Sequence, residues 1–196
     1  MEKGDYISTI LRSKKTVFSF KDIALLWGDS GNAARVRVNY YLKSKDLYRI
    51  HQGIYAKDRN YNKNELATKI YTPSYISFET VLGRAGITFQ SYGQIFIASY
   101  LTREIIAGEQ TYSYRKIKES VLTNKAGIEH KDNYSIAIPE RAFLDVIYLN
   151  KDYHFDNLSA LDWNKVMEIL PIYSNKRMEK EIKVYQKTYG IEHNHS

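Results

Sequence analysis

The sequence predicts an α+β protein in two parts, and three observations predict it. Residues 28–57 read as a tight turn, a basic helix and a short hairpin, in that order. From about residue 88 the apolar pattern changes from helical spacing to period two, and after Pro139 it returns to helical spacing. Charge divides the chain in the same place: residues 1–60 hold 12 Lys and Arg against 6 Asp and Glu, whereas residues 61–196 hold 17 against 16. Nearly all of the net charge of +7 therefore belongs to the first part. Helices, then strands, then helices point to α+β and not to an alternating parallel sheet.

Taken in order, Asp5–Ser13 is expected to be a helix, with Tyr6, Ile7, Ile10 and Leu11 on one stripe, and Val17-Phe18 a short extended piece. Ser19 has the chemistry of an N-cap, with Asp22 three residues on, and opens a helix over Phe20–Trp27 that Gly28 ends. No Pro or Gly interrupts residues 32–45, where Ala34, Val38, Tyr41 and Leu42 form a packing stripe. Asn32, Val36, Asn39, Tyr40 and Lys43 fall on the opposite arc, with Arg35 and Arg37 beside it. Leu47–Lys57 reads as a hairpin with Gln52-Gly53 at its tip, since Gly supplies the φ > 0 that such a turn needs. This order of parts describes a winged helix-turn-helix over residues 1–60. Asp58–Asn64, polar and rich in turn formers, marks the boundary.

The second part, residues 61–196, opens with a helix over Glu65–Tyr71 that Thr72-Pro73-Ser74 stops. Ser77 is expected to cap a helix over Phe78–Arg84, with Gly86 after it. Strands are expected at Thr88–Ser91, Ile95–Ser99, Tyr112–Ile117 and Asn133–Ala137, with turns near Gly93, Gly108 and Gly127. Pro139 suits the first turn of a helix over Glu140–Leu149, and two more helices, Leu158–Leu170 and Arg177–Tyr189, flank Pro171.

Cysteine is absent, which excludes disulfides, thiolate metal sites and cysteine nucleophiles together. The apolar runs are too short to cross a bilayer, and the N-terminal residues lack the pattern of a secretory signal, so the expected location is the cytoplasm. None of the five histidines, His51, His130, His154, His193 and His195, makes a ligand pair inside an expected helix or strand, so no metal is expected. The glycine-rich phosphate loops and the Gly-x-Ser-x-Gly nucleophile turn are missing, so no cofactor and no enzyme activity are expected. Glu79, Glu140 and Asp145 are the candidate carboxylates for a nuclease. Glu140 and Asp145 diverge on one helix, no strand carries an Asp…Glu-x-Lys pattern, and Glu140 is read as charging its own helix N-terminus.

A basic patch confined to one domain is the footprint of a phosphate-binding surface. Asn32, Arg35, Arg37, Asn39, Tyr40 and Lys43 are the expected contacts from the helix, where Arg can pair with guanine and Asn with adenine. Arg49, His51 and Gln52 of the hairpin are expected to reach the adjacent backbone or minor groove, and Lys14, Lys15 and Lys21 to anchor phosphates.

Several segments together resemble the AbiEi family of antitoxins. They are Gly53-Ile54-Tyr55, Pro73-Ser74-Tyr75-Ile76-Ser77, Gly86, and Pro139-Glu140-Arg141-Ala142 with Asp145, in the family's order and across residues 5–150 or so. The resemblance implies a component of a type IV toxin–antitoxin system with a winged-helix domain and an α+β antitoxin domain. It implies binding of inverted repeats in double-stranded promoter DNA, repression of its own operon, and action against a nucleotidyltransferase-like toxin without a stable complex. The expected state is a monomer or a DNA-assembled dimer. Two alternatives remain at this level: a winged-helix regulator with no antitoxin role, and a winged-helix-guided nuclease. Residues 150–196 match no part of the family pattern.

Overall fold

Ser19 and Asp22 satisfy each other at the start of the second helix: the Ser19 hydroxyl accepts from the Asp22 N–H at 3.1 Å, and the Asp22 carboxylate accepts from the Ser19 N–H at 2.8 Å. Gly28 ends the same helix in the left-handed conformation at φ 65°. These two stops define α2, Phe20–Trp27, in a computed structural model that describes residues 5–90 and 92–189. Around it lie α1 (Asp5–Arg12), β1 (Val17–Ser19), α3 (Gly31–Lys43), β2 (Tyr48–His51) and β3 (Ile54–Ala56). The three strands pair antiparallel in the order β1-β3-β2, with a bulge between Arg49 and His51. Ile10, Phe18, Ile23, Trp27, Ala34, Val38, Tyr41, Leu47 and Tyr55 form the core beneath them.

The remaining elements are α4 (Lys63–Ile70), β4 (Ser74–Ile76), α5 (Glu79–Arg84), β5 (Gln94–Ser99), β6 (Arg103–Ala107), β7 (Gln110–Lys116), α6 (Glu119–Leu122), β8 (Ile128–Lys131), β9 (Tyr134–Ala137), α7 (Pro139–Leu149), α8 (Trp163–Ile169) and α9 (Lys176–Tyr189), with a 3-10 turn at Leu170–Tyr173. One mixed sheet runs β6-β7-β5-β4-β9-β8, parallel at β5/β7 and β4/β9 and antiparallel elsewhere. The fold is thus mixed α+β with two sheets.

Three strands escaped the periodicity. Thr72-Pro73-Ser74 is expected only to stop a helix, yet Ser74 opens β4 (Ser74–Ile76), which lies in the middle of the large sheet; three residues are too few for a period to show. β6 and β8 are the sheet's edges, and their charged, exposed residues blur the alternation. The strand expected at Thr88–Ser91 is absent over residues 88–90, and Ser91 lies outside the described residues. There the backbone bonds to a later loop: Asp156 and Asn157 donate to the Ile87 carbonyl, and Phe89 N–H donates to the Asp156 carboxylate at 2.7 Å. The helix expected from Leu158 starts only at Trp163, capped by Asp162. Ser77 caps nothing: Phe78 takes the N-cap position of α5, and the Ser77 hydroxyl donates to Asp145 at 2.8 Å.

That bond belongs to a buried polar network. Asp145 accepts from Tyr75 (3.0 Å), Ser77, Tyr173 (2.6 Å) and Arg141 Nε (3.3 Å). Arg141 also donates to the carbonyls of Ala126 and Val121 and to the Tyr75 hydroxyl. Both charged side chains are fully excluded from solvent. Burial pushes the Asp145 carboxyl up, against the pull of Arg141 and the three hydroxyls. Gly127, at φ 70°, lets the chain pass over this site: a Cβ there would stand 2.8 Å from both Arg141 Cβ and Ile169 Cδ1.

Two further contacts fasten the N-terminal elements to the large sheet's layer. Glu65 on α4 is buried, and its Oε2 accepts from the N–H groups of Thr16 (2.8 Å) and Val17 (3.0 Å). Lys69 pairs with Asp22 at 3.0 Å. Burial alone would raise the Asp22 carboxyl, but the Ser19 N–H and Lys69 outweigh it and hold the group below the carboxylate's usual value.

Arg141→Ala strips the charge partner from a buried carboxylate and is expected to cost about 3–5 kcal/mol in urea unfolding. Tyr173→Phe, which removes one donor, is expected to cost about 1–3 kcal/mol. Asp22 contributes stability above its unfolded value of 3.8 and loses it as pH falls through its lower folded value. Asp22→Asn should therefore flatten the acid limb of a stability–pH curve and lower the plateau at neutral pH.

Candidate nucleic-acid interface

Helix α3 is amphipathic, and the protein uses only one side of it for packing. Ala34, Val38 and Tyr41 are buried. Asn32, Arg35, Val36, Asn39, Tyr40 and Lys43 are exposed on the other side, and no acidic residue occurs between Gly31 and Lys45. Val36 and Tyr40 are the apolar members of that face, 73% and 55% exposed, and with Ala33, Arg37 and Tyr41 they line a shallow groove of about 410 Å³. Arg35 lies with its guanidinium 5.8 Å from the centre of the Phe20 ring, which connects it to the start of α2.

Arg37 differs from Arg35 in its surroundings. Its Nε donates to the Asp29 carboxylate at 2.8 Å, and its guanidinium sits 3.5 Å over the Tyr6 ring. The Asp29 hydrogen bond raises its already high pKa further. Tyr6 in turn accepts the Trp27 indole N–H on its carbonyl at 2.8 Å and meets the Trp27 ring edge-on. Arg37 therefore pins α3 to α1 and to the turn after α2, and its planar donor edge is already engaged. The geometry gives it a supporting role and leaves Arg35 as the outward-facing arginine of this helix.

The hairpin places Arg49 and Gln52 in solvent, whereas His51 is half-buried. Its tip is held down by one backbone bond, from Phe20 N–H to the Gly53 carbonyl at 2.9 Å. That bond ties the tip to the first residue of α2. Lys14 and Lys21 are exposed and Lys15 is half-buried, the first and last in the loop before β1 and Lys21 in the first turn of α2. Arg59 and Lys63 were not singled out from the sequence, because residues 58–64 were read only as a polar boundary. They share with Arg49 a cleft of about 600 Å³ between the hairpin and the β6–β7 turn. Their basic charge immediately after the hairpin was the available signal.

The three carboxylates weighed for catalysis do not converge. Asp145 is enclosed in the Arg141 network, Glu140 accepts from the Asp162 N–H at 3.0 Å, and Glu79 pairs with Arg115 at 2.9 Å. Glu140 thus supports the start of α8 as well as sitting in the first turn of α7. Among the described residues no three His, Asp or Glu side chains gather as a metal site would require, and no helix is long and apolar enough to cross a membrane. His193 and His195 lie outside the described residues.

Arg37→Ala removes both the ion pair and the ring contact, and a loss of about 1–2 kcal/mol is expected by thermal or urea unfolding. Arg35→Ala, on an exposed face, should change stability by less than about 0.5 kcal/mol.

No protein-family model matches the chain, and no curated protein matches it.

Proposed function

We propose that residues 1–60 act as a winged helix-turn-helix that binds double-stranded promoter DNA, with α3 in the major groove and the β2–β3 hairpin as its wing. The observation that carries this reading is the outer face of α3: exposed Asn32, Arg35, Asn39 and Lys43, free of acids, on a unit that holds almost all of the net positive charge. Arg and Asn are the side chains that pair bidentately with guanine and adenine, each good pair worth about 1–3 kcal/mol of discrimination. Val36 and Tyr40 suit contact with thymine methyl groups and phosphates. Arg49 and Gln52 are the wing contacts, Lys14, Lys15 and Lys21 the phosphate anchors, and His51, half-buried, contributes at the wing's edge.

The wider role is proposed from the resemblance to the AbiEi antitoxins. In this reading the chain is a cytoplasmic antitoxin that represses its own operon, binding inverted repeats as a monomer or a DNA-assembled dimer. Residues 61–196 counter a nucleotidyltransferase-like toxin without a stable complex. The residues behind the resemblance support it in one physical respect. Tyr75, Ser77, Arg141 and Asp145 come from two of its segments and meet in one buried network.

In a mobility-shift assay with the DNA upstream of its own gene, Arg35→Ala should weaken binding at least tenfold, as loss of about 1.4 kcal/mol implies. Lys43→Ala should lower the slope of log affinity against log salt by about 0.9. Unchanged affinity in Arg35→Ala would contradict the placement of α3. The same variant, expressed with a neighbouring nucleotidyltransferase-like toxin, should still rescue growth while failing to repress. Loss of rescue together with repression would contradict the division of labour.

A further inference from the structure

The six-stranded sheet has two edge strands, β6 and β8, and they are built differently. An edge presents unpaired N–H and C=O groups, and proteins ordinarily blunt it with lysine, proline or a bulge. β8 follows that rule: Glu129, His130 and Lys131 are exposed, and Lys131 pairs with Glu129 at 3.3 Å. β6 reads Arg-Glu-Ile-Ile-Ala, with neither lysine nor proline. Its pairing with β7 runs from Arg103 and Tyr114 to Ala107 and Gln110 without a register shift, and its other side carries no strand. Ile106 in this strand is 69% exposed.

The turn after β6 fixes which of its backbone groups face outward. Gly108-Glu109 is a two-residue turn, with Gly108 at φ 61°. Ala107 and Gln110 therefore close it, with their N–H and C=O groups directed at each other. Bonding direction alternates along an antiparallel strand. Ala107, Ile105 and Arg103 thus bond to β7, and the N–H and C=O of Ile106 and Glu104 point away from the sheet. Ile106 offers an exposed apolar side chain together with an outward donor and acceptor.

We propose that β6 pairs antiparallel with β6 of a second copy of this chain, about a two-fold axis through Ile106. In that register Ile106 faces the partner's Ile106, and the two exchange both backbone bonds. Ile105 lies opposite the partner's Ala107, and Glu104 lies toward the partner's Gly108. Arg103 comes to the partner's Glu109, and symmetry makes that ion pair twice. Arg103 and Glu109 are both exposed, and neither makes an ion pair among the described residues. Other two-fold registers are poorer. An axis through Ile105 sets Glu104 against the partner's Ile106, and one through Glu104 or Arg103 sets like charges face to face. A foreign strand would have to supply its own acid for Arg103, whereas a second copy brings one in its turn. The ladder takes about three residues from each copy, far short of the ~800 Å² per partner of a stable interface, so the pairing is weak. It needs no DNA and is independent of the DNA reading.

Sedimentation equilibrium of the full chain without DNA, from about 10 µM to about 1 mM, is expected to show monomer passing into dimer and no larger species. Ile106→Lys brings two like charges together on the axis and should weaken dimerisation by about tenfold or more, in a chain that stays folded because the side chain is exposed. Arg103→Glu and Glu109→Arg should each weaken it by about threefold, and the two changes in one chain should restore it. A chain that stays monomeric throughout that range, a dimer indifferent to Ile106→Lys, or a double variant that associates no better than the single ones would overturn the proposal.

Discussion

The larger unit depends on one buried ion pair, Arg141 with Asp145. A carboxylate and a guanidinium withdrawn from water are tolerated only when nearly every polar atom finds a partner. Here β4 supplies Tyr75 and Ser77, the 3-10 turn after α8 supplies Tyr173, and the α6 region supplies the carbonyls of Val121 and Ala126. Because the partners come from three separate stretches of chain, the pair sets the relative position of the central strand, α7 and the α8 turn at once. The fit is strict enough that the loop crossing Arg141 must carry a glycine, Gly127.

From that frame the order of the rest follows. β4 is held in the sheet's centre, and α4, packed beside it, presents Glu65 to the N–H groups of Thr16 and Val17. The small sheet is thereby tied to the large one through a carboxylate and two amides rather than through a slack linker. Val17 and Ile54 accordingly join the larger core although they lie in the N-terminal strands. The N-terminal unit keeps its own cluster around Trp27 and Tyr41, with Arg37 as a clasp between helices. What remains outward on α3 is then an acid-free surface of Asn, Arg and Lys around Val36 and Tyr40.

Much of this was legible in the sequence wherever the determining interactions were local. The capping box at Ser19 and Asp22, the glycine stop at Gly28, the apolar stripe of α3, the turn at Gly53 and the proline at the start of α7 all lie within a few residues of what they control. What the sequence hid has the opposite character. Arg37 reads like its neighbour Arg35, and only Asp29 and Tyr6, brought close by folding, distinguish their surroundings. Ser77 has the chemistry of a cap and is drawn instead to Asp145, 68 residues away. Thr88–Gln90 has a strand's composition, but the Ile87 carbonyl before it is taken by the N–H groups of Asp156 and Asn157 and Phe89 N–H by the Asp156 carboxylate. Glu65 showed no sign of its role, since a glutamate in the first turn of a helix is ordinary.

The account rests on the separation between a packed inner side of the N-terminal unit and an exposed outer face of α3. Backbone amide chemical-shift mapping of the full chain, titrated with a duplex from upstream of its own gene, tests that separation most directly. The account predicts that the largest changes fall within Asn32–Lys43 and Arg49–Gly53, with the Tyr75–Arg141–Asp145 network undisturbed. Changes confined to the large sheet or its helices, or none in a folded protein at saturating DNA, would contradict it.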